Sequence, residues 1–228
     1  MLAVALLVDI QTARAADGIA DQPRGLSILR GHAHNDYEHA RPLLDALAQG
    51  FGSVEADIWL VNGQLLVAHD QADVKADHTL QALYLDPIRD RLQRNGGRIF
   101  PNEASFTLLI DVKSAAEPTY VALRELLQNY TNILTRFTVT GRQTNALTIL
   151  LTGNRAVGLV SAESPRWVAL DGRMADLESN MPVALMPLIS ENWTHHFKWR
   201  GTGPFPGVEQ SKLRQMVERL RASQETGQ

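Results

Sequence analysis

Gly50-Phe-Gly-Ser-Val-Glu-Ala-Asp-Ile-Trp-Leu60 is the stretch on which the fold and the chemistry both turn. From Val54 to Leu60 it reads as a strand, and it carries two carboxylates, Glu55 and Asp57, at i and i+2. That spacing puts both side chains on one face of a strand. Two desolvated negative charges on one face are costly unless a cation sits between them. A divalent ion with oxygen ligands, Mg²⁺ or Ca²⁺, meets that need. A bare Glu-x-Asp pair is common, and a solvated strand surface is the plain alternative. The flanking Val54, Ile58 and Leu60, and a histidine-rich strand end nearby in sequence, favour the metal.

Outward from this stretch, strand and helix signals alternate. Ser27 to His34 reads as a strand ending in His32 and His34. Pro42 opens a helix over Leu43 to Gln49, and Gly50 closes it. Asn62-Gly63 is a tight-turn signal leading into Gln64 to His69. Leu80 to Asn95 reads as a helix with Leu85, Ile88 and Leu92 on one face and Gly96-Gly97 as its stop. Phe106 to Lys113 is a buried-type strand, Tyr120 to Tyr130 a helix, and Ala146 to Thr152 a strand. Trp167 to Asp171 and Val183 to Met186 read as two more strands, and Val208 to Ser223 as a final helix. Such alternation implies an α/β fold with a parallel sheet and helices outside.

Polar residues gather at the C-terminal ends of these strands: His32 and His34, Glu55 and Asp57, His69-Asp70, Asp111 and Lys113, Thr152 to Arg155, Asp171 to Arg173, Ser190 to Asn192. An α/β barrel builds its active-site face in this way. Asp111 is placed to add a third carboxylate. His32 and His69 are the natural acid–base pair, since imidazole titrates near neutrality. His32 and His34 share an i, i+2 face, and spacing alone does not choose between them.

Composition bounds the rest. The chain has 228 residues, is 44% hydrophobic and contains no cysteine. Disulfide scaffolds, thiolate zinc sites and cysteine nucleophiles are therefore excluded. A net charge of −3 argues against broad nucleic-acid binding. No apolar run approaches the roughly 20 residues of a transmembrane segment. Residues 1–16 carry an apolar run, Leu2 to Val8, and a small-x-small Ala13-Arg-Ala15. They read as a candidate signal peptide, although no basic region precedes the run and Asp9 interrupts it. The expected localisation is secreted or periplasmic, and otherwise cytoplasmic. Residues 17–228 are expected to form a single domain and to act as a monomer.

Longer stretches resemble a known group. Gly31-His-Ala-His-Asn-Asp-Tyr-Glu38, Arg41-Pro-Leu-Leu-Asp-Ala-Leu47, Gly50 to Asp57 and Gly63-Gln-Leu-Leu-Val-Ala-His-Asp70 carry the likeness. It continues through Leu83 to Pro87, Leu109 to Lys113, Leu151 to Arg155, Asp171 to Arg173, Ile189 to Trp193 and Phe197 to Pro204. In this ordered set the chain resembles the phospholipase-C-like phosphodiesterase superfamily. Its nearest likeness there is the family named after yeast altered inheritance of mitochondria protein six.

The resemblance implies a TIM-type barrel and a phosphodiesterase with two histidines and a Mg²⁺ or Ca²⁺ ion. Carried over, it makes His32 and His69 acid and base, and Glu55, Asp57 and Asp111 the metal ligands. His32-Ala-His-Asn35 matches the His-x-x-Asn of sphingomyelinase D toxins. His34-Asn-Asp-Tyr37 matches the His-Asn-x-Tyr of the phospholipases, in which the Asn is a metal ligand, here Asn35. Lys113 matches a site lysine of the toxins. Of the two neighbouring histidines His32 is favoured, because it sits just before the loop. The glycerophosphodiester signature, His-Arg-Gly with a later Glu-Asn-Thr, is absent, which argues against glycerophosphodiesters. Substrates are then expected among phosphodiester small molecules and lipid head groups.

Six barrel strands can be counted, so the barrel is expected to lack its last two βα units, on the order of 60 residues. A catalytically impaired fragment or a non-catalytic secreted binding module of the same fold is the alternative. A glycosidase reading of Glu55 and Asp57 ranks low, because same-face carboxylates on one strand sit too close and leave the histidines without a role. Trp193, Phe197, Trp199 and Arg200 form an aromatic, basic loop expected either to line the site or simply to pack.

Overall fold

Apolar runs separated by turn residues fold here into strands and helices in near alternation. The computed structural model describes residues 28–101, 105–179 and 181–226. The candidate signal peptide at residues 1–16 lies outside them. In chain order the elements begin with β1 (Ile28–Ala33), α1 (Leu44–Ala48), β2 (Phe51–Val61) and β3 (Gln64–Val67). Next come α2 (Asp86–Arg94), β4 (Phe106–Val112), α3 (Ala116–Leu127), β5 (Arg136–Thr138), β6 (Gly141–Gln143) and β7 (Leu147–Gly153). The rest are α4 (Val157–Ala162), β8 (Ala169–Gly172), β9 (Leu188–Ile189), α5 (Trp193–His196) and α6 (Gly207–Thr226).

Six strands pair in parallel in the order β1-β2-β4-β7-β8-β9. The sheet curls into a half-barrel, an incomplete TIM-type barrel, with polar residues from successive strands at its C-terminal edge. β2 is long enough to serve three partners. Its first half meets β1, its middle meets β4, and Ile58 to Val61 pair antiparallel with β3. Asn62 and Gly63 both have positive φ, as a two-residue hairpin turn of this twist requires.

Alternation along β4 shows which face is covered. Phe106, Leu108, Ile110 and Val112 are buried, whereas Thr107, Leu109 and Asp111 are partly exposed. The buried set belongs to the main core, shared with Ile88 and Leu92 of α2 and Leu123 and Leu127 of α3. The opposite set faces the concave side of the half-barrel. There β5 and β6 supply a plug that no apolar periodicity marks. Phe137 of β5 is fully buried against Leu150 and Ala169, with Leu109 and Leu188 packed alongside. Its backbone exchanges two 2.9 Å hydrogen bonds with Arg166.

One expected strand is corrected. Val183 to Met186 forms a turn, in which the Leu185 and Met186 amides donate to the Pro182 carbonyl at 2.8 and 3.1 Å. Pro182 and Pro187 bracket the run, and a proline has no N–H to offer a ladder. Pairing with β8 passes instead to Leu188 and Ile189.

Past β9 the aromatic loop packs on itself. Trp193 stacks on Phe197 with centroids 4.2 Å apart, and Phe205 lies 5.1 Å from Trp199. Trp193, Phe197 and Phe205 join Met174, Ile189, Met216 and Leu220 in a satellite core under α6. Glu209 of α6 accepts the Lys198 and Trp199 amides, and Arg200 donates to the Phe197 and Trp199 carbonyls. Among the described residues no helix is long and apolar enough to cross a membrane.

Candidate metal centre

β2 and β4 lie side by side with Asp57 directly opposite Asp111. Because i and i+2 share a face, Glu55 joins them, and one ligand oxygen from each lies within 4.8 Å of the others. Glu55 is 6% exposed and Asp57 1%. Burial, and the charges of Asp57 and Asp111, push the Glu55 carboxyl up, against the opposing influence of His34 and the Asn35 amide.

The Oδ2 atoms of the two aspartates are well supplied with donors. Asp57 Oδ2 accepts from the Tyr37 hydroxyl at 2.7 Å, His69 Nδ1 at 3.0 Å and Lys113 Nζ at 3.0 Å. Asp111 Oδ2 accepts from Lys113 Nζ at 2.7 Å. Burial lowers the Lys113 amine, but its bonds to Asp111 and Asp57 outweigh this and raise it. The Oδ1 atoms are the reverse: in both aspartates they are buried and have no hydrogen-bond partner. Buried anionic oxygens without donors are costly. Three carboxylates on adjacent strands, two of which also carry an unpartnered buried oxygen, fit a divalent cation of the Mg²⁺ or Ca²⁺ type.

β7 keeps the Oδ1 side clear. Gly153 closes that strand at φ +66, and a Cβ built on it overlaps Asp111 Oδ1. The position therefore needs glycine twice over, for its backbone and for the space.

The sequence candidates fall around this cluster as follows. His32 pairs in register with Ser53 of β2, and its Nδ1 lies 2.9 Å from the Ser53 hydroxyl. Burial, helped by His34 and opposed by Asp171, lowers the His32 imidazole to about 4. It is therefore neutral at pH 7. His34 Nε2 lies 3.4 Å from Glu55 Oε2 and is half exposed. The Asn35 backbone amide donates to Glu55 Oε2 at 3.3 Å, while its side chain reaches Glu38. His69 and Lys113 both meet on Asp57.

Several contributors went unassigned in the sequence. Tyr37 bonds both Asp57 and His69, the latter at 3.3 Å. Its only sequence signal is its place in His34-Asn-Asp-Tyr37. Two strands from Asp111, Asp171 is 1% exposed, with Oδ1 unpartnered and Oδ2 held by Arg173 and Ser190 at 2.6 Å each. Arg173 also spans back to Thr152 of β7 at 2.8 Å. Asp171-Gly-Arg173 was visible as a polar strand end, but pairing across three strands leaves no local sequence mark.

Fold and site together define an α/β half-barrel protein with a carboxylate cluster able to hold a cation, on the face where such barrels place their chemistry. The chain belongs to the AIM6-like phosphodiesterase domain family, whose model matches residues 20–171. The family name implies a phosphodiesterase. Altered inheritance of mitochondria protein 6 of Eremothecium gossypii is 35% identical over 184 residues, which cover 71% of this chain and 47% of that protein. The homolog of Arthroderma benhamiae is 28% identical over 184 residues, covering 69% and 57%. The Saccharomyces cerevisiae protein is 27% identical over 198 residues, covering 72% and 50%. The chain thus spans about half the length of the curated relatives it matches. No solved structure matches it.

Proposed function

We propose that the chain is a metal-dependent phosphoric diester hydrolase or lyase, acting on a phosphodiester small molecule or lipid head group. The observation that carries this reading is the Glu55, Asp57, Asp111 cluster with two orphaned buried oxygens, beside two histidines, in a chain of a phosphodiesterase family. A divalent cation bound there supplies charge neutralisation at the phosphoryl oxygens. Lys113 adds a second positive charge at the same edge. His32, neutral at pH 7, accepts the proton of the nucleophile, which is water or a neighbouring substrate hydroxyl. The nucleophile's oxygen bonds phosphorus, the bond to the leaving alcohol breaks, and His69, entering the step doubly protonated, delivers its Nε2 proton to the departing alkoxide and is left with its proton on Nδ1. His34 and Asn35 hold Glu55 in place on the loop side.

Hydrolysis of bis-para-nitrophenyl phosphate with Mg²⁺ or Ca²⁺ tests this reading. His32→Ala and His69→Ala should each cost about 10²-fold or more, and EDTA should stop the reaction. Turnover indifferent to EDTA and to both substitutions would show that the site is not the one used. The half-barrel gives a second reading some weight: the same fold with a cation centre but no turnover. A protein whose melt responds to Mg²⁺ but which cleaves no diester meets that description.

A further inference from the structure

Three donors converge on one oxygen of Asp57, and their proton inventory assigns the state of His69. An ionised carboxylate only accepts. The Tyr37 hydroxyl has one proton and spends it on Asp57 Oδ2 at 2.7 Å. The 3.3 Å contact between Tyr37 Oη and His69 Nδ1 can then be a hydrogen bond only if Nδ1 is the donor. The 3.0 Å contact from Nδ1 to Asp57 Oδ2 makes the same demand. His69 Nδ1–H is therefore shared between a carboxylate and a phenol oxygen, and Nε2 is the ring nitrogen left for chemistry.

The support for Tyr37 is itself built. Asn35, in the left-handed region at φ 48, turns the chain after β1. Asp36, fully buried, accepts the Leu43 amide and the Tyr84 hydroxyl, the latter at 3.0 Å. That anchor fixes the short turn bearing Tyr37, whose ring packs against the main core. His69, by contrast, is half exposed, and among the described residues its ring makes no other hydrogen bond.

We propose that Tyr37 is a positioning residue that, with Asp57, holds His69 with its proton on Nδ1 and its Nε2 free for acid–base work. The role in turnover rests on the phosphodiesterase reading above; the tautomer does not. An unconstrained histidine in water favours the Nε2–H form, so the assignment is diagnostic. The hydrogen bond made by one ring nitrogen sets which of the two carries the proton.

The experiment is long-range ¹H–¹⁵N NMR on ¹⁵N-histidine-labelled full chain, at a pH where His69 is neutral, with its signals assigned from His69→Gln. The expected wild-type result is a dominant Nδ1–H tautomer. Tyr37→Phe should yield a mixture with substantial Nε2–H, while His32 keeps its wild-type signals. Dominant Nε2–H in the wild type overturns the proposal with no variant needed. An unchanged tautomer in Tyr37→Phe overturns the part played by Tyr37. With bis-para-nitrophenyl phosphate, Tyr37→Phe should lose about tenfold in kcat, with KM and Mg²⁺ affinity held within about twofold. A loss shared by KM and metal affinity would instead mark a structural role and overturn positioning. If the wild type cleaves no diester, the phosphodiesterase reading fails, and the NMR result still decides Tyr37.

Discussion

Glu55 carries a charge that burial and two neighbouring carboxylates all oppose. Glu55→Gln should therefore stabilise the metal-free protein and raise its melting temperature. The same variant should lose most of the stabilisation that Mg²⁺ confers on the wild type, and paired thermal melts read both effects. His32 ties stability to pH. Its folded value, about 4, lies below its ordinary 6.5, so the unfolded chain binds the proton first. Stability from this group is complete above about 6.5 and drains away as pH falls toward 4. His32→Gln should flatten the wild-type loss across that window in denaturant titrations. Gly153→Ala combines a left-handed backbone, costing a side chain ~1–2 kcal/mol, with overlap on Asp111 Oδ1. It should destabilise the protein and weaken Mg²⁺ binding at least ~10-fold by calorimetry, a loss of ~1.4 kcal/mol. At this scale Glu55 and Asp57 were legible, because strand geometry turns an i, i+2 spacing into a shared face. Tyr37 was not, because nothing local tells a tyrosine hydroxyl that its acceptor is 20 residues away.

At the scale of elements, β2 reads true in its apolar second half, its tight Asn-Gly turn and its antiparallel return, while its first three residues, from Phe51, lie outside the stretch read as strand. The β5–β6 hairpin is the opposite case. Its strands are three residues each, too short for any period, yet Phe137 fills the concave face from below. Phe137→Ala should cost about 3–5 kcal/mol, as for other buried aromatics. Val139→Ala at the hairpin tip, 78% exposed, should cost under about 0.5 kcal/mol. Urea unfolding of the two variants separates plug from tip; equal losses would mean that the hairpin matters only as a turn. The apolar run Val183 to Met186 misled for the complementary reason. Hydrophobicity reports burial, and Leu185 and Met186 are buried, but in a turn bracketed by prolines. Burial alone does not specify a ladder.

Across the whole molecule, the six parallel strands form one wall of a barrel, and the carboxylate cluster ties β2 to β4 within it. A cation bridging the two strands binds the folded chain only. Mg²⁺ or Ca²⁺ at 100 times its Kd should add about 2.7 kcal/mol, visible as a raised melting temperature that EDTA reverses. A melt unmoved by either ion would mean the orphaned oxygens serve some other donor. Alternating helix and strand signals, with polar residues at successive strand ends, already implied an α/β barrel and the short count of its strands, because periodicity and burial are properties of local sequence. The order and register of those strands arise from packing between distant segments. Only that packing sets Asp57 opposite Asp111, spends one Asp57 oxygen on Tyr37, His69 and Lys113, and leaves the other without a partner.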